Sequence, residues 1–331
     1  MEKVCDGCLV VTEAQDERKI FKEEVKAGLS ASPKTLPSRF FYDEQGSKLF
    51  QSITRLPEYY LTACELEILR RSGRDITSLV RQEEFNLVEL GSGEGSKVIH
   101  LIEPALINNG RLTYLPIDQS ISAMETLTAT LSERYPSVEV RGIVAEYCTG
   151  LEWIKSHMAG PMLLLFLGSN LGNFSGKSAG IFLRRLRRTL APGDLLVIGL
   201  DLNKDRETMV RAYNDAQGVT AQFNLNLLRR INRELSGNFN LSRFRHYSTF
   251  EPDTGGVESY LVSLARQSVL VSDLRRTFEL DREEPIHTEH SHKYTEGEIQ
   301  RLAQQAGFEI EADFYDSRRY FVDSVWRVPA K

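Results

Sequence analysis

The chain has 331 residues, of which 41% are apolar, and a formal net charge of −5. That is enough apolar material for one large domain or two modest ones. The acidic balance argues against nucleic acid or an anionic membrane surface as the main partner, because both favour a basic face. No apolar run approaches the roughly 20 residues of a membrane span, and the first residues lack the pattern of a signal peptide. We therefore expect a cytoplasmic monomer that acts on a small molecule.

Residues 1–15 are predicted to form a frayed, reduced end. Cys5 and Cys8 make a CxxC, but the chain lacks the second cysteine pair that usually completes a structural zinc site, and no strand precedes the motif as in a redox protein. A short amphipathic helix is predicted over 17–28. The two prolines at 33 and 37 lie beyond its end, because they cannot continue a helix.

An aromatic segment follows over residues 40–60 and contains Tyr42 and Tyr59. It lacks the strict alternation of a sheet. Tyrosines in such a segment suit either core packing or ligand binding, and the residues alone leave that choice open. A helix is predicted next, over 62–71, with apolar residues on one side and charges on the other.

Strands and helices then alternate up to residue 200. Strands are predicted at 87–90, 112–117, 138–144, 162–167 and 194–200, and the helices between them at 96–108, 120–134, 150–157 and 177–189. This alternation predicts right-handed crossovers and a parallel, doubly wound α/β sheet. Ligands of such sheets lie at the carboxyl ends of the strands.

The alternation stops near Asn203, where an insertion begins. Helices are predicted at 205–212 and 223–234, and antiparallel strands at 244–250, 257–264 and 269–278. A helix at 295–306 and a hairpin of strands at 308–315 and 320–327 then complete the main sheet.

The turn after the first strand spells Gly91-x-Gly93-x-Gly95. Its glycines supply positive φ angles and bare amides, and the helix N-terminus that follows favours an anionic or polar group. A dinucleotide fingerprint would need G-x-G-x-x-G. The acidic Glu89 shortly before G-x-G-x-G instead resembles doubly wound methyltransferases that bind S-adenosylmethionine.

Three residues after the next two strands are candidates to bind the nucleoside. Asp118 ends the second strand and can accept hydrogen bonds from both ribose hydroxyls, although it could also cap the helix that starts at Ser120. Glu146 and Tyr147 follow the third strand, where an adenine amine and ring face are usually met. They could equally be a surface glutamate beside a packing tyrosine.

Seven stretches spread along the chain together carry a specific resemblance. They are KTLPSRFFYD at 34–43, ITRLPEYY at 53–60, LVELGSGEGSK at 87–97, FLGSNLGN at 166–173, RAYNDAQGVTA at 211–221, NRELS at 232–236 and TEHSHKY at 288–294. On these motifs the chain resembles the histidine-specific S-adenosylmethionine-dependent methyltransferases of ergothioneine biosynthesis, which convert histidine to hercynine. Related enzymes of the family methylate a prenylated tryptophan.

The resemblance implies a fold and a set of site residues. The fold is a Rossmann-like methyltransferase sheet, here 61–202 and 293–331, plus an α+β substrate-binding domain formed by the N-terminal segment and the insertion, here 1–60 and 203–292. The implied S-adenosylmethionine site comprises Gly91, Gly93, Lys97, Asp118, Glu146 and Tyr147. The implied substrate site for L-histidine comprises Tyr42, Tyr59, Asn173, Tyr213, Ser259, Glu289 and Ser291.

The sequence departs from the family pattern at three places. Glu146-Tyr147 stands where the family often has Asp-Phe, and Glu94-Gly95 where it usually has Thr-Ser. Ser259 replaces a methionine of the pocket, which predicts a more polar or roomier slot for the imidazole.

The implied residues suit methylation of an α-amine. Glu289 and Ser291 are two apart on an extended segment and therefore point the same way, as a clamp for an imidazole. Asn173 and Tyr213 are expected to hold the carboxylate without a fixed positive charge, and either could instead be structural. Tyr59 or a water is the expected proton acceptor, in a reaction that depends mostly on positioning.

Three histidines around Glu289 raise the alternative of a metal site. His290 and His292 alternate with Glu289 and Ser291, so on a strand they face away from the clamp, and we predict no metal. Three other functions stay open: a related methyltransferase of another aromatic amino acid, a nicotinamide dehydrogenase, and a non-catalytic nucleoside-binding module.

Overall fold

The structure is a computed structural model that describes residues 2–5, 8–10, 17–107, 111–174 and 176–330. The chain divides into two compact units. The first contains Met1–Glu13, Cys64–Leu202 and Tyr294–Lys331, and the second contains Ala14–Ala63 and Asn203–Lys293.

Strands make up the sheets of both units. In chain order they are β1 Glu2–Cys5, β2 Cys8–Val10, β3 Lys34–Thr35, β4 Glu84–Leu90, β5 Arg111–Asp118, β6 Glu139–Val140, β7 Gly142–Val144, β8 Met162–Phe166, β9 Leu195–Asp201, β10 Phe244–Glu251, β11 Gly256–Ser263, β12 Gln267–Val271, β13 Arg276–Leu280, β14 Pro285–His292, β15 Glu309–Tyr315 and β16 Phe321–Arg327.

Helices connect and cover these strands. In chain order the α-helices are α1 Glu17–Ser30, α2 Glu44–Ile53, α3 Tyr60–Ser78, α4 Ile99–Ile107, α5 Ile121–Arg134, α6 Tyr147–His157, α7 Gly176–Thr189, α8 Arg206–Ala212, α9 Val219–Glu234 and α10 Glu296–Ala306. None of the helices in the described ranges is both long and apolar enough to cross a membrane.

The first unit contains one large, mostly parallel sheet with the strand order β1-β2-β7-β5-β4-β8-β9-β16-β15, and β6 pairs with β5. The pairs from β7 to β9 are parallel, whereas β16 is antiparallel to both β9 and β15. Every residue of β8 and β9 is buried, as expected for strands that are covered on both faces. The predicted α/β class with a doubly wound sheet is confirmed.

The N-terminal end differs from its prediction. Within the described residues it is not frayed, because β2 pairs in parallel with β7 and extends the sheet of the first unit. Cys8 is buried there, with its Sγ 3.4 Å from the Thr128 hydroxyl. The run Cys8-Leu9-Val10 is short but suits a strand, and its partner strand is distant in sequence. The side chain of Cys5 and residues 6–7 and 11–16 lie outside the described residues.

Several predicted element boundaries were wrong for local reasons. The predicted single strand 269–278 is a hairpin, β12 and β13, because a 3-10 turn at Ser272–Leu274 and a left-handed Arg275 reverse the chain. That turn has no glycine or proline to signal it. The strand predicted at 138–144 is divided into β6 and β7, and the helix after the glycine turn begins at Ile99 instead of Ser96.

The second unit is built on a four-stranded sheet with the order β10-β11-β14-β3. Helix α2, which was missed in the aromatic segment, packs on α9. Asp43 joins the two helices: it caps α2 by accepting from the Gly46 amide, and it also accepts from the Asn226 amide and from Arg233, each at 2.7 Å. Burial tends to raise the pKa of Asp43, but these three bonds hold that pKa below its usual range.

Gly199 provides a test of packing in the first unit. It lies in β9 opposite Asp323, and a Cβ at this position would overlap the Oε1 atom of Glu65. We expect Gly199→Ala to lower the free energy of unfolding by about 1–3 kcal/mol through overpacking, measured by urea denaturation. Gly176→Ala is the matched control, because a Cβ there meets nothing within 4 Å. Equal stabilities of the two variants would contradict this account of the site.

Candidate functional site

The glycine turn after β4 leaves its outer side open. Gly91, Gly93 and Gly95 have φ angles of +71°, +53° and +69°, which disfavour residues with a Cβ. A Cβ at Gly91 would lie 2.7 Å from the hydroxyl of Tyr147, whereas one at Gly93 would meet nothing within 4 Å. A ligand can therefore approach the backbone at Gly93, while Gly91 makes room for Tyr147.

The turn lies where the order of the strands reverses. From β4 the chain proceeds to β5 and β7 on one side, and then to β8 and β9 on the other side. The carboxyl ends of β4 and β8 therefore flank the switch point, which is where doubly wound sheets bind their ligands. Residues 91–97 follow β4, and Gly168 follows β8.

Asp118 is the last residue of β5, beside this switch point. Its Oδ1 atom accepts a hydrogen bond from the Ser120 amide at 3.0 Å. Ser120 itself caps α5 by accepting from the Ala123 amide, so the alternative in which Asp118 is the cap is wrong. Burial raises the pKa of Asp118, and the backbone bond from Ser120 opposes that rise.

Glu146 and Tyr147 begin α6, and the structure gives them different surroundings. Glu146 is the N-cap, because its Oε2 atom accepts from the amides of Cys148 and Thr149, both at 3.1 Å. Tyr147 has its hydroxyl against Gly91 and its ring 5.9 Å from that of Phe166. Burial raises the pKa of the Tyr147 phenol. Tyr147 and Gly91 are therefore together, and Glu146 has a structural role that we did not predict.

Lys97 is held by a buried carboxylate that we did not predict. Its Nζ atom lies 2.5 Å from Oε2 of Glu65, and the other Glu65 oxygen accepts from the Gly168 amide at 2.6 Å. Glu65 is fully buried in α3. The sequence contained one signal, because Glu65 falls in the apolar stripe of its helix, three and four residues before Ile68 and Leu69.

Two further buried carboxyls belong to this part of the first unit. Asp323 is fully buried, and among the described residues neither of its carboxyl oxygens has a hydrogen-bond partner. Burial and the nearby Glu65 raise its pKa far above the usual range. Burial likewise raises the pKa of Glu89 to about 7, although Tyr114 donates to it at 2.5 Å. Asp323 was missed, because it follows Val322 in an otherwise ordinary strand pattern.

Asn173 closes a 3-10 helix at Asn170–Asn173 in the first unit. Its side chain is exposed. The residue before this turn, Ser169, has a left-handed backbone with φ of 57°. Asn173 is thus at the surface of its unit, after the carboxyl end of β8.

An aromatic cluster in the second unit unites three of the predicted substrate residues. The ring of Tyr42 lies 5.6 Å from Phe223, the ring of Tyr59 lies 6.1 Å from Phe50, and Tyr59 also lies 6.3 Å from Tyr213. Phe50 and Phe223 are 5.9 Å apart and link the tyrosines. These two phenylalanines were missed, because α2 was not predicted and its packing on α9 joins segments that are distant in sequence.

A β-bulge decides which residues of β14 share a face. Ser259 pairs with Glu289 but Tyr260 pairs with His287, so Thr288 is an extra residue in β14. Glu289 and Ser291 consequently share a face with Ser259. The expected orientation of Glu289 with Ser291, and of His290 away from them, is confirmed.

The other face of β14 carries the histidines. Glu258 accepts from Nε2 of His287 and from Nδ1 of His290, both at 2.7 Å. Burial tends to raise the pKa of Glu258, but the two histidine bonds outweigh it and hold that pKa far below the usual range. Within the part of the chain that the structure describes, no three or more His, Cys, Asp or Glu residues form a group that could hold a metal ion.

The face that carries Glu289 and Ser291, here called the clamp face, also contains a lysine that we did not predict. Lys293 is 1% exposed, and its Nζ donates to the Tyr213 hydroxyl at 2.8 Å and to the Ser291 hydroxyl at 2.9 Å. The two hydroxyls are 2.7 Å apart. The expectation that Tyr213 acts without a fixed positive charge nearby is therefore wrong.

Glu289 and Ser259 complete this face. Burial raises the pKa of Glu289 to about 7, and the charge of Lys293 opposes that rise. Ser259 is fully buried, and its hydroxyl is 3.1 Å from that of Ser248. Ser248 in turn donates to the Tyr213 carbonyl at 3.0 Å. Ser259 thus supports the backbone of Tyr213 through Ser248.

Comparisons with known proteins show the family of this chain. A family model described as histidine-specific methyltransferase, SAM-dependent, matches residues 21–328. Histidine N-alpha-methyltransferase of Mycobacterium tuberculosis is 39% identical over 82% of this chain and 84% of that protein. The enzyme of the same name from Mycolicibacterium smegmatis is 36% identical over 89% of this chain and 90% of that protein.

A third relative is much longer than this chain. Ergothioneine biosynthesis protein 1 of Neurospora crassa is 33% identical over 87% of this chain but only 32% of its own length. The resemblance seen in the sequence motifs is thus confirmed by matches along most of the chain. This protein belongs to the family of histidine-specific, S-adenosylmethionine-dependent methyltransferases.

Proposed function

We propose that this protein transfers methyl groups from S-adenosylmethionine to the α-amine of L-histidine, giving Nα,Nα,Nα-trimethylhistidine (hercynine) in ergothioneine biosynthesis. The observation that carries the proposal is the face shared by Glu289 and Ser291, with Tyr213 bonded to Ser291, in a chain that matches the histidine-specific family model over residues 21–328. The names of the relatives support the same substrate and pathway.

The residues of the first unit fit S-adenosylmethionine. The bare backbone at Gly93 leaves room for a close ligand, and Asp118 offers an acceptor at the strand end for ribose hydroxyls. When bound, S-adenosylmethionine supplies an electrophilic methyl group on a sulfonium. We assign its binding to Gly91, Gly93, Lys97, Asp118, Glu146 and Tyr147. Because the helix cap occupies Oε2 of Glu146, a bond to the adenine amine falls to Oε1.

The residues of the second unit suit an aromatic amino acid. Glu289 and Ser291 are assigned to hydrogen bonds with the imidazole nitrogens, so analogues without those nitrogens leave the two groups unpaired. Tyr213 is assigned to the carboxylate, and the family likeness adds Asn173.

Tyr42 and Tyr59 are assigned to the surroundings of the α-amine, and Tyr59 is the candidate proton acceptor. Ser259 takes the place of a family methionine. The α-amine must be neutral to attack, and desolvation lowers its pKa.

The family and the net charge also bear on the substrate class, oligomeric state and location of the enzyme. Its substrate is a small molecule, as the family implies. We propose that it works as a monomer in the cytoplasm without nucleic acid or a membrane as partner, in keeping with its net charge of −5.

Cofactor binding separates the proposed function from its alternatives. We expect titration calorimetry to detect S-adenosylmethionine binding and no NAD binding, because the turn lacks the dinucleotide spacing. Incubation with histidine should then yield S-adenosylhomocysteine and a trimethylated product by mass spectrometry. NAD binding without S-adenosylmethionine binding would establish the dehydrogenase alternative. Binding without turnover of any amino acid would establish a nucleoside-binding module.

Removal of the Glu289 carboxylate tests the imidazole clamp. We expect Glu289→Ala to lower kcat/KM for histidine by roughly 100-fold, because a buried hydrogen bond to a charged group is worth about 1.5–3 kcal/mol, and to leave S-adenosylmethionine affinity unchanged. Glu279→Ala is the control, since Glu279 is an exposed glutamate of β13 in the same unit. Unchanged histidine kinetics in Glu289→Ala would remove the clamp from the proposal.

The pKa of Glu289 adds a pH dependence. Burial raises this pKa to about 7, so the carboxylate that accepts a ring N–H predominates only above that pH. The ratio of kcat/KM for the wild type to that for Glu289→Gln should therefore rise as the pH increases from about 6 to 8. Ionisation of the substrate α-amine cancels in the ratio. A ratio that is flat or falls over this range would contradict a titrating Glu289.

A further inference from the structure

We propose that Lys293 is a positioning residue that orients the hydroxyl protons of Tyr213 and Ser291, so that the phenol of Tyr213 donates to the α-carboxylate of the substrate. This inference rests on the proposed function and extends it to a residue that the assigned site does not include.

The argument begins with a closed triangle of polar atoms. Lys293 Nζ lies 2.8 Å from Tyr213 Oη and 2.9 Å from Ser291 Oγ, and the two oxygens are 2.7 Å apart. All three residues are buried. The ammonium also lies 4.4 Å from the centre of the Tyr213 ring, within the range of a cation–π contact. The lysine therefore holds both hydroxyl groups.

The protons of this triangle can be counted. An ammonium only donates, so both oxygens accept from Lys293. The two hydroxyls own one proton each, and their mutual bond uses one of the two. At most one proton can go to a partner outside the triangle, and it belongs either to Tyr213 or to Ser291. Tyr213 and Ser291 therefore cannot both donate to the substrate.

The surroundings favour donation by Tyr213. Its ring lies 6.3 Å from Tyr59 in the aromatic cluster, where the amino-acid backbone of the substrate is assigned. A hydroxyl that accepts a hydrogen bond from an ammonium is a stronger donor. The positive charge of Lys293, which is hydrogen-bonded to this hydroxyl, also favours an anionic acceptor. The α-carboxylate is the anionic group of an amino acid.

Ser291 keeps a role in this arrangement. When it donates to Tyr213 and accepts from Lys293, one lone pair remains, which can accept a ring N–H of the substrate. Glu289 lies on the same face, two residues away.

The second unit contains a matched control for this lysine. Lys204 Nζ donates to the Tyr60 hydroxyl at 2.8 Å and lies 4.3 Å from the centre of its ring. The lysine–tyrosine geometry is therefore the same, but neither residue belongs to the assigned substrate site. A general effect of removing a lysine from a tyrosine would appear in both variants.

The experiment compares Lys293→Met with Lys204→Met on histidine and on histamine, which lacks the carboxylate. We expect Lys293→Met to raise the KM and the calorimetric Kd for histidine roughly 10- to 100-fold, with a much smaller change in kcat. The affinity for histamine should not change. Lys204→Met should leave both ligands and S-adenosylmethionine affinity at wild-type values. In a Tyr213→Phe background, Lys293→Met should have no further effect on histidine.

Equal losses for histidine and histamine, or additive effects of Lys293→Met and Tyr213→Phe, would overturn the role of Lys293. Lys293→Gln, which keeps a donor without the charge, serves if Lys293→Met does not fold.

Turnover by the wild type is measured first, on histidine and tryptophan. If tryptophan is the substrate, the proposed function fails in its substrate, and the comparison of tryptophan with tryptamine tests Lys293. If neither is methylated, both proposals are wrong.

Discussion

The carboxylate of Glu65 joins the segments that shape the ligand edge of the first unit. A buried carboxylate must be paired, or its burial costs several kcal/mol. Glu65 meets that requirement with the Lys97 ammonium and the Gly168 amide, in a space that exists because residue 199 has no side chain. Helix α3, the turn after β4, the turn after β8 and strand β9 are thereby tied together. The position of Lys97, which we propose as a cofactor-binding residue, depends on all four.

In the second unit, the bulge at Thr288 has a comparable effect. Without the extra residue, His287 would share a face with Glu289 and Ser291, as the two-residue period of a strand requires. The bulge instead brings His287 to the face of His290, where both donate to Glu258. The clamp face is left with Glu289, Ser291 and Lys293. One inserted residue therefore separates a histidine–carboxylate cluster from the residues assigned to the substrate.

The two units carry different parts of the proposed reaction. In the first, a glycine turn, a strand-end carboxylate and a held lysine offer donors and acceptors for a nucleoside. In the second, buried polar groups lie beside an aromatic cluster, and three of them, Tyr213, Glu289 and Ser291, are assigned to the polar groups of histidine. Methyl transfer depends mainly on position and on a neutral amine, which fits a site that is rich in orienting groups.

Local patterns were enough to identify the parallel sheet, the turn at Gly91 and the orientation of Glu289 with Ser291, because each depends on periodicity or on backbone geometry within a few residues. They failed where a partner is distant in sequence. Strand β2 is defined by β7, and Glu65 is explained by Gly168 and Gly199. The hairpin of β12 and β13 lacked a turn signal.

The sequence by itself therefore determined the fold class, the family and the residue types of the site. Only the tertiary structure decided that Glu146 caps a helix, that Asp118 does not, and that Lys293 lies against Tyr213 and Ser291. The physical reason is that a buried charge is placed by the groups that compensate it, and those groups come together only when the chain is folded.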